Sequence, residues 1–142
     1  MNQNYKGNVA DAFKGSEDTR ISVSDKVLHI ESSGQQPWVE TIFTPNVSNS
    51  TFLFQFEMKS DSKGAGVLSW KEGADKEYMA GNTTSFEALH DDEWHTYSVE
   101  IPLEGVLKTL KIQPSQGEGQ IALRGLELVT SDGYYIRDWP LY

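Results

Sequence analysis

The stretch His90-Asp91-Asp92-Glu93-Trp94-His95 sets two imidazoles around three carboxylates. Those residue types could hold a metal, move protons as general acid and base, or switch with pH. Their spacing argues against all three. The acids sit where the chain turns. The following "HTYSVEI" alternates as a strand, which puts His95 on the face of Tyr97 and Val99. His90 and His95 then need not converge. Zinc wants three or four converging ligands, and the third histidine, His29, lies in a distant part of the chain. The stretch reads as a corner into a strand, with Trp94 packing against the edge of the fold. Glycoside hydrolysis would need two carboxylates about 5–10 Å apart across a cleft. Glu17, Asp18, Asp75, Glu77 and Glu118 are available, but nothing in the sequence pairs them. No G-x-S-x-G, H-E-x-x-H or phosphate-cradling glycine motif occurs.

The tryptophans offer a different chemistry. Trp38 follows Gln35-Gln36-Pro37 at a loop–strand junction. Trp70 ends the run "GAGVLSW" and leads into the polar loop "KEGADKEY", which closes with Tyr78. A flat ring at a stiff strand end can stack on the apolar face of a pyranose, while neighbouring polar groups bond its hydroxyls. A site built from Trp38, Trp70 and Tyr78 is therefore expected at the loop end of the fold or on the adjoining sheet face. Lys71, Glu72, Asp75 and Lys76 are expected to supply its polar contacts, with Arg124 reaching a sulfate or a uronate. Trp94 and Trp139 are expected to pack.

The elements that must hold these residues are strands. In "TFLFQFEM" Phe52, Phe54, Phe56 and Met58 share one face. "ISVSDKVLHIE" alternates on Ile21 and Val23, breaks at Ser24-Asp25-Lys26 and resumes on Leu28 and Ile30, which predicts a hairpin. Tyr97, Val99 and Ile101 point inward together, as do Leu110 and Ile112. "IALRGLELV" shifts phase at Gly125, where a β-bulge would sit. "SEDTR" and "TSFEALHDD" could each hold one helical turn. The tail "SDGYYIRDWPLY" is aromatic enough to fold back as a last strand. Strand signals every 8–12 residues or so indicate a sandwich or barrel. The expectation is all-β, a sandwich of two antiparallel sheets, forming a single domain over 1–142 with about 1–10 loosely ordered.

The chain has 142 residues, no cysteine, and a formal net charge of −9 from 21 acidic and 12 basic residues. One domain with a real core is expected. Disulfides and thiolate chemistry are excluded. The average field repels polyanions such as nucleic acid. No apolar run approaches the roughly 18 residues of a membrane span, and "MNQNYKGNVA" has no apolar signal-peptide region.

The order of landmarks carries a resemblance. A hairpin, "ISVSDKVLHIESSGQQPWVE", precedes "FLFQFEMKSD", then "GAGVLSW", "DDEWHTYSVEIP" and "LKTLKIQPSQGEGQIALRGLEL". Over about residues 20 to 139 this resembles the jelly-roll, galactose-binding-like carbohydrate-binding modules appended to bacterial sulfatases and polysaccharide-degrading enzymes. Those modules share a "DGEWHTY" strand start, matched here by Asp92-Glu93-Trp94-His95-Thr96-Tyr97. They share a closing pair matched by Leu110-Lys111-Ile112-Gln113-Pro114, Gly117, Gly119, Ile121 and Leu126, and a tail matched by Asp132-Gly133 and Trp139. The chain departs from the pattern at Gln113 and Arg124.

The resemblance implies jelly-roll topology and a non-catalytic module that targets a linked enzyme to polysaccharide of marine or algal type, sulfated chains included. The alternative it implies is an accessory domain of a sulfatase or glycoside hydrolase that packs on the catalytic domain without a ligand. Either would be a monomeric unit, covalently linked to a catalytic domain and secreted or periplasmic within a larger bacterial protein, with no nucleic-acid or membrane partner. No cofactor is required. A structural calcium ion near the first and last strands is the metal such modules often carry. Asp11, Glu17, Asp18 and Glu127 are the nearest acids, although no D-x-D-x-D-G loop is present.

Overall fold

The computed structural model describes residues 13–41 and 46–139. Eleven strands form two antiparallel sheets: β1 (Lys14–Gly15), β2 (Thr19–Ser24), β3 (Val27–Ser32), β4 (Val39–Thr41), β5 (Ser50–Ser60), β6 (Gly66–Glu72), β7 (Thr83–Phe86), β8 (His95–Leu103), β9 (Leu107–Gln113), β10 (Gly119–Thr130) and β11 (Tyr135–Asp138). One sheet has the order β1-β4-β9-β6-β7. The other has the order β2-β3-β10-β5-β8. The aromatic-rich tail does return as a strand, β11, which pairs with β10 beyond the point where β3 leaves it.

Alternation explains the core. β5 buries Phe52, Phe54, Phe56 and Met58; β8 buries Tyr97, Val99 and Ile101; β9 buries Leu107, Leu110 and Ile112. These faces meet between the sheets with Leu28, Ile30, Leu68 and Trp70. Phe56 stacks on Tyr97 with ring centres 5.4 Å apart, and Trp139 meets Phe54 edge-on at 5.5 Å. On β10, Arg124 lies opposite Glu57 but Glu127 lies opposite Gln55, so the strand carries one extra residue there. Gly125 adopts φ 64°, a left-handed conformation that a residue with a Cβ resists. The bulge turns Leu126 and Leu128 inward after Leu123, as the phase shift in the sequence predicts. The β2–β3 hairpin turns on Asp25 and Lys26, at φ 54° and 63°.

Neither predicted helical turn forms. "SEDTR" is a tight turn feeding β2, because Thr19 N–H donates to Ser16 O at 3.0 Å. Thr84, Ser85 and Phe86 of the second stretch lie in β7, paired to β6. Edge pairing satisfies their backbone groups along a row, which a single helical turn would not.

Gly66 is the tightest backbone position in β6. A Cβ built there would lie 2.2 Å from Cζ of Phe86, whose ring is held between Phe56 and Tyr97. Gly66→Ala is expected to cost about 1–3 kcal/mol by overpacking. Denaturant unfolding followed by far-UV circular dichroism checks this; an unchanged midpoint would show that the Phe86 ring swings clear.

Candidate functional site

His90-Asp91-Asp92-Glu93-Trp94-His95 is a corner. Asp92 N–H donates to Ser60 O at 2.8 Å, which closes the turn onto the end of β5, and Asp92 has φ 62°. His90 Nε2 donates to the Gly64 carbonyl at 2.7 Å while Nδ1 meets the Ser60 hydroxyl at 2.7 Å, so neither ring nitrogen is free to ligate. His95 pairs with the Asp91 carboxylate at 2.9 Å. That hydrogen bond, above all, lowers the Asp91 pKa from the usual carboxylate value. The two histidines belong to separate networks.

The residues that do converge lie on the outer face of the five-stranded sheet. Val39 and Thr41 point inward on β4, so Trp38 and Glu40 point outward. Leu110 and Ile112 point inward on β9, so Lys111 points outward, and Leu68 and Trp70 leave Ser69 and Lys71 outward on β6. Cross-strand pairing sets Lys14, Glu40, Lys111, Ser69 and Thr83 in one row. Tyr78, from the loop between β6 and β7, folds across this row. Its hydroxyl donates to Glu40 Oε2 on β4. Its ring lies 4.3 Å from Lys111 Nζ and 4.8 Å from Lys71 Nζ. The same Lys111 Nζ is 5.5 Å from the Trp38 ring centre, so the two ring centres are no more than about 10 Å apart. Both rings are half-buried, each with part of its surface open.

This platform is held stiffly. Trp38 N–H donates to Ser16 Oγ at 3.2 Å, and Trp38 O accepts from Ser16 N–H at 3.0 Å. Burial, followed by the hydrogen bond to Glu40, raises the Tyr78 phenol far above its ordinary pKa. Tyr78 therefore stays a protonated donor throughout the working pH range. Two rings, two ammonium groups and one carboxylate lie within reach of one another: a flat stacking surface rimmed by polar groups.

Of the expected site residues, Trp38, Tyr78 and Lys71 are brought together. Trp70 is not available. It is 1% exposed in the core, because β6 runs on to Glu72 and puts Trp70 on the same inner face as Leu68. Glu72 is occupied by structure: Oε2 accepts from Trp70 Nε1 at 3.1 Å and Oε1 from Gly105 N–H at 2.8 Å. Asp75 accepts from Glu72 N–H at 3.1 Å and shapes the turn. Lys76 is exposed in the bend of the same loop. Arg124 lies on the opposite sheet, where Nε donates to Glu57 at 2.6 Å and the guanidinium sits 3.8 Å from the Trp94 ring centre. Trp94 packs half-buried on an outer face under Arg124, and Trp139 packs in the core at 4% exposed. Glu40 and Lys111 were missed. Alternation marks both as outward, but their meeting depends on the pairing of β4 with β9.

Of the residues named for calcium, Asp18 and Glu127 lie far apart. Asp18 accepts from the Ser16 hydroxyl at 3.0 Å and lies by Ser33, next to the Ser32–Gly119 pair that opens β10. Glu127 lies eight residues further along β10, beside Asp138, roughly 25 Å away at the usual strand rise. Asp11 lies outside the described residues. Glu17, Asp18, Glu31 and Glu118 line one cleft of about 390 Å³ together with Arg20, yet among the described residues no group of three or more His, Cys, Asp or Glu could hold a metal ion.

No family model matches the chain, and no curated protein matches it. Solved structures do. A family 29 carbohydrate-binding module superposes with TM-score 0.62 at 15% identity, over 83% of this chain and 79% of the other. A family 29 module complexed with mannohexaose gives 0.60 at 12%, over 84% and 79%. The enzymatically active domain of bacteriophage CBA120 tailspike protein 4 gives 0.61 at 8% identity, over 84% of this chain but 19% of that one. At these identities the likeness is one of fold: the described strands form the jelly-roll β-sandwich that carbohydrate-binding modules share.

Proposed function

We propose that the chain is a non-catalytic carbohydrate-binding module that grips a polysaccharide on the Trp38–Tyr78 platform and holds a linked polysaccharide-degrading enzyme, outside the cytoplasm, on an algal type of substrate. The observation that carries this reading is the pair of half-buried rings, both within reach of Lys111, with Glu40, Lys71 and Lys111 placed at their rims. Stacking would set the sugar plane, and the polar groups would select among hydroxyl patterns. The fold supports the reading, since the similar structures include a module complexed with an oligosaccharide. Two stacks contributing about 1 kcal/mol each beyond buried area imply a micromolar-to-millimolar binder.

Affinity electrophoresis of the 142-residue chain through gels containing different polysaccharides tests this. At least one polysaccharide should retard the wild type, and Trp38→Ala should migrate freely in that gel while keeping its circular dichroism spectrum. Arg124→Gln, His90→Gln and His95→Gln should be retarded like the wild type, because none of these side chains lies on the platform face. Retention of Trp38→Ala, or release of Arg124→Gln, would place the site elsewhere.

A second reading, an accessory domain that packs on a catalytic domain without its own ligand, has one observation in its favour. Tyr134 and Tyr135, in the β10–β11 hairpin, are 71% and 61% exposed, a surface suited to a neighbouring domain. Failure of every gel to retard a folded chain would favour that reading.

A further inference from the structure

The platform has a charge opposite to that of the chain, and from this, resting on the saccharide-binding reading above, we infer that its ligand is an anionic saccharide bearing carboxylate or sulfate groups. Acidic residues outnumber basic ones 21 to 12 over the whole sequence. On the outer face of the five-stranded sheet the balance reverses. Lys14, Lys71 and Lys111 share it with one carboxylate, Glu40, and Glu40 already accepts the Tyr78 hydroxyl. Lys71 and Lys111 rest against aromatic rings and make no ion pair with a described residue. A ring quadrupole steadies an ammonium group but does not cancel its charge.

The neighbouring loop is acidic, with Glu72, Asp75 and Glu77 against Lys76, but Glu72 accepts from Trp70 and the β8–β9 connection and Asp75 from a backbone amide, so neither carboxylate is bonded to Lys71 or Lys111. The opposite face of the sandwich differs. There Arg124 is paired with Glu57, and Glu31, Glu100 and Glu127 outweigh Arg20 and Lys59. Two cations without an ion pair to a described residue, Lys71 and Lys111, thus lie directly beside the rings. A sugar stacked on Tyr78 or Trp38 holds its ring substituents at the rim of the stack, where the ammonium groups lie. A carboxylate or sulfate there gains an attraction that a hydroxymethyl group does not. On a chain of net negative charge, such a cluster also selects for the anion locally while the remaining surface repels non-specific polyanions.

Isothermal titration of the 142-residue chain with hexagalacturonate, a carrageenan hexasaccharide and mannohexaose, at low and high sodium chloride, tests the inference. One of the two anionic hexasaccharides should bind about tenfold or more tighter than mannohexaose at low salt, and the gap should shrink as salt screens the lysines. The hexagalacturonate and carrageenan arms decide between carboxylate and sulfate. The Lys71→Met/Lys111→Met double variant, which keeps most of the side-chain bulk, should lose the preference. Equal affinity for mannohexaose and both anionic probes at every salt concentration, or an unchanged preference in the double variant, would overturn the anionic assignment and leave the binding function standing. Binding of no saccharide by the folded chain, in these titrations and in the gels, would instead remove the binding function itself.

Discussion

Trp70→Ala should destabilise the domain by about 3–5 kcal/mol, the range for truncating a large buried aromatic. Trp70 is 1% exposed and sits on the inner face of β6, one residue from the outward Lys71. Truncation would open a cavity in the layer shared with Leu68 and Leu110, against which the rest of the core can only partly relax. It also removes the indole donor to Glu72, whose carboxylate joins the end of β6 to the turn between β8 and β9. Trp70→Phe should cost less, since it keeps most of the volume and loses the hydrogen bond. Chemical denaturation read by far-UV circular dichroism gives the number. If Trp70→Ala unfolded at the wild-type midpoint and lost only saccharide affinity, the ring would be a contact residue and its place in the core would be wrong.

The second large effect is expected at Tyr78. Tyr78→Ala should weaken saccharide binding by about 10- to 100-fold, equivalent to roughly 1.4–2.8 kcal/mol. The loop residue is the only tie that crosses from β6 over β9 to β4 on this face among the described residues, meeting Lys71, Lys111 and Glu40 at once. Removing it deletes one stacking surface and frees both lysines and the carboxylate to move. Tyr78→Phe separates these contributions. It keeps the ring between the lysines and loses the phenol donor, so affinity should fall only a few-fold. Stability should drop by about 1 kcal/mol for the missing hydrogen bond to Glu40. Because the phenol is held protonated by burial and by Glu40, wild-type affinity should not show a tyrosine titration as pH rises toward 10. A loss of binding with a midpoint near the ordinary tyrosine pKa would contradict that environment. Equal affinities for the wild type and Tyr78→Ala would take this residue out of the site.

Much of the fold was legible in the sequence because a strand's inner face is a local property with a period of two. Phe52 through Met58, Tyr97 through Ile101 and the phase slip at Gly125 could be read without knowing any partner strand, and the structure buries or bulges them accordingly. The same rule applied to "GAGVLSW" would have placed Trp70 with Leu68. A strand that stops at Trp70 would leave the ring exposed, and the two further residues of β6 decide the matter. The partners of Trp94 were not legible, for a different reason. Trp94 precedes β8, where alternation says nothing, and its neighbours Arg124 and Lys59 come from β10 and β5.

The sequence by itself determined that this protein is an all-β domain with an aromatic core and a bulge at Gly125, and it singled out Trp38, Tyr78 and Lys71. Only the tertiary structure decided that Trp38 and Lys71 join Glu40 and Lys111 in one platform, that Tyr78 bridges it, and that Arg124 belongs to the other face. The physical reason is that hydrophobic alternation specifies which side of a strand faces the core but not which strands lie side by side. Sheet order follows from non-local pairing, such as β4 against β9 and β9 against β6, which the whole core selects at once by burying two sheets against each other.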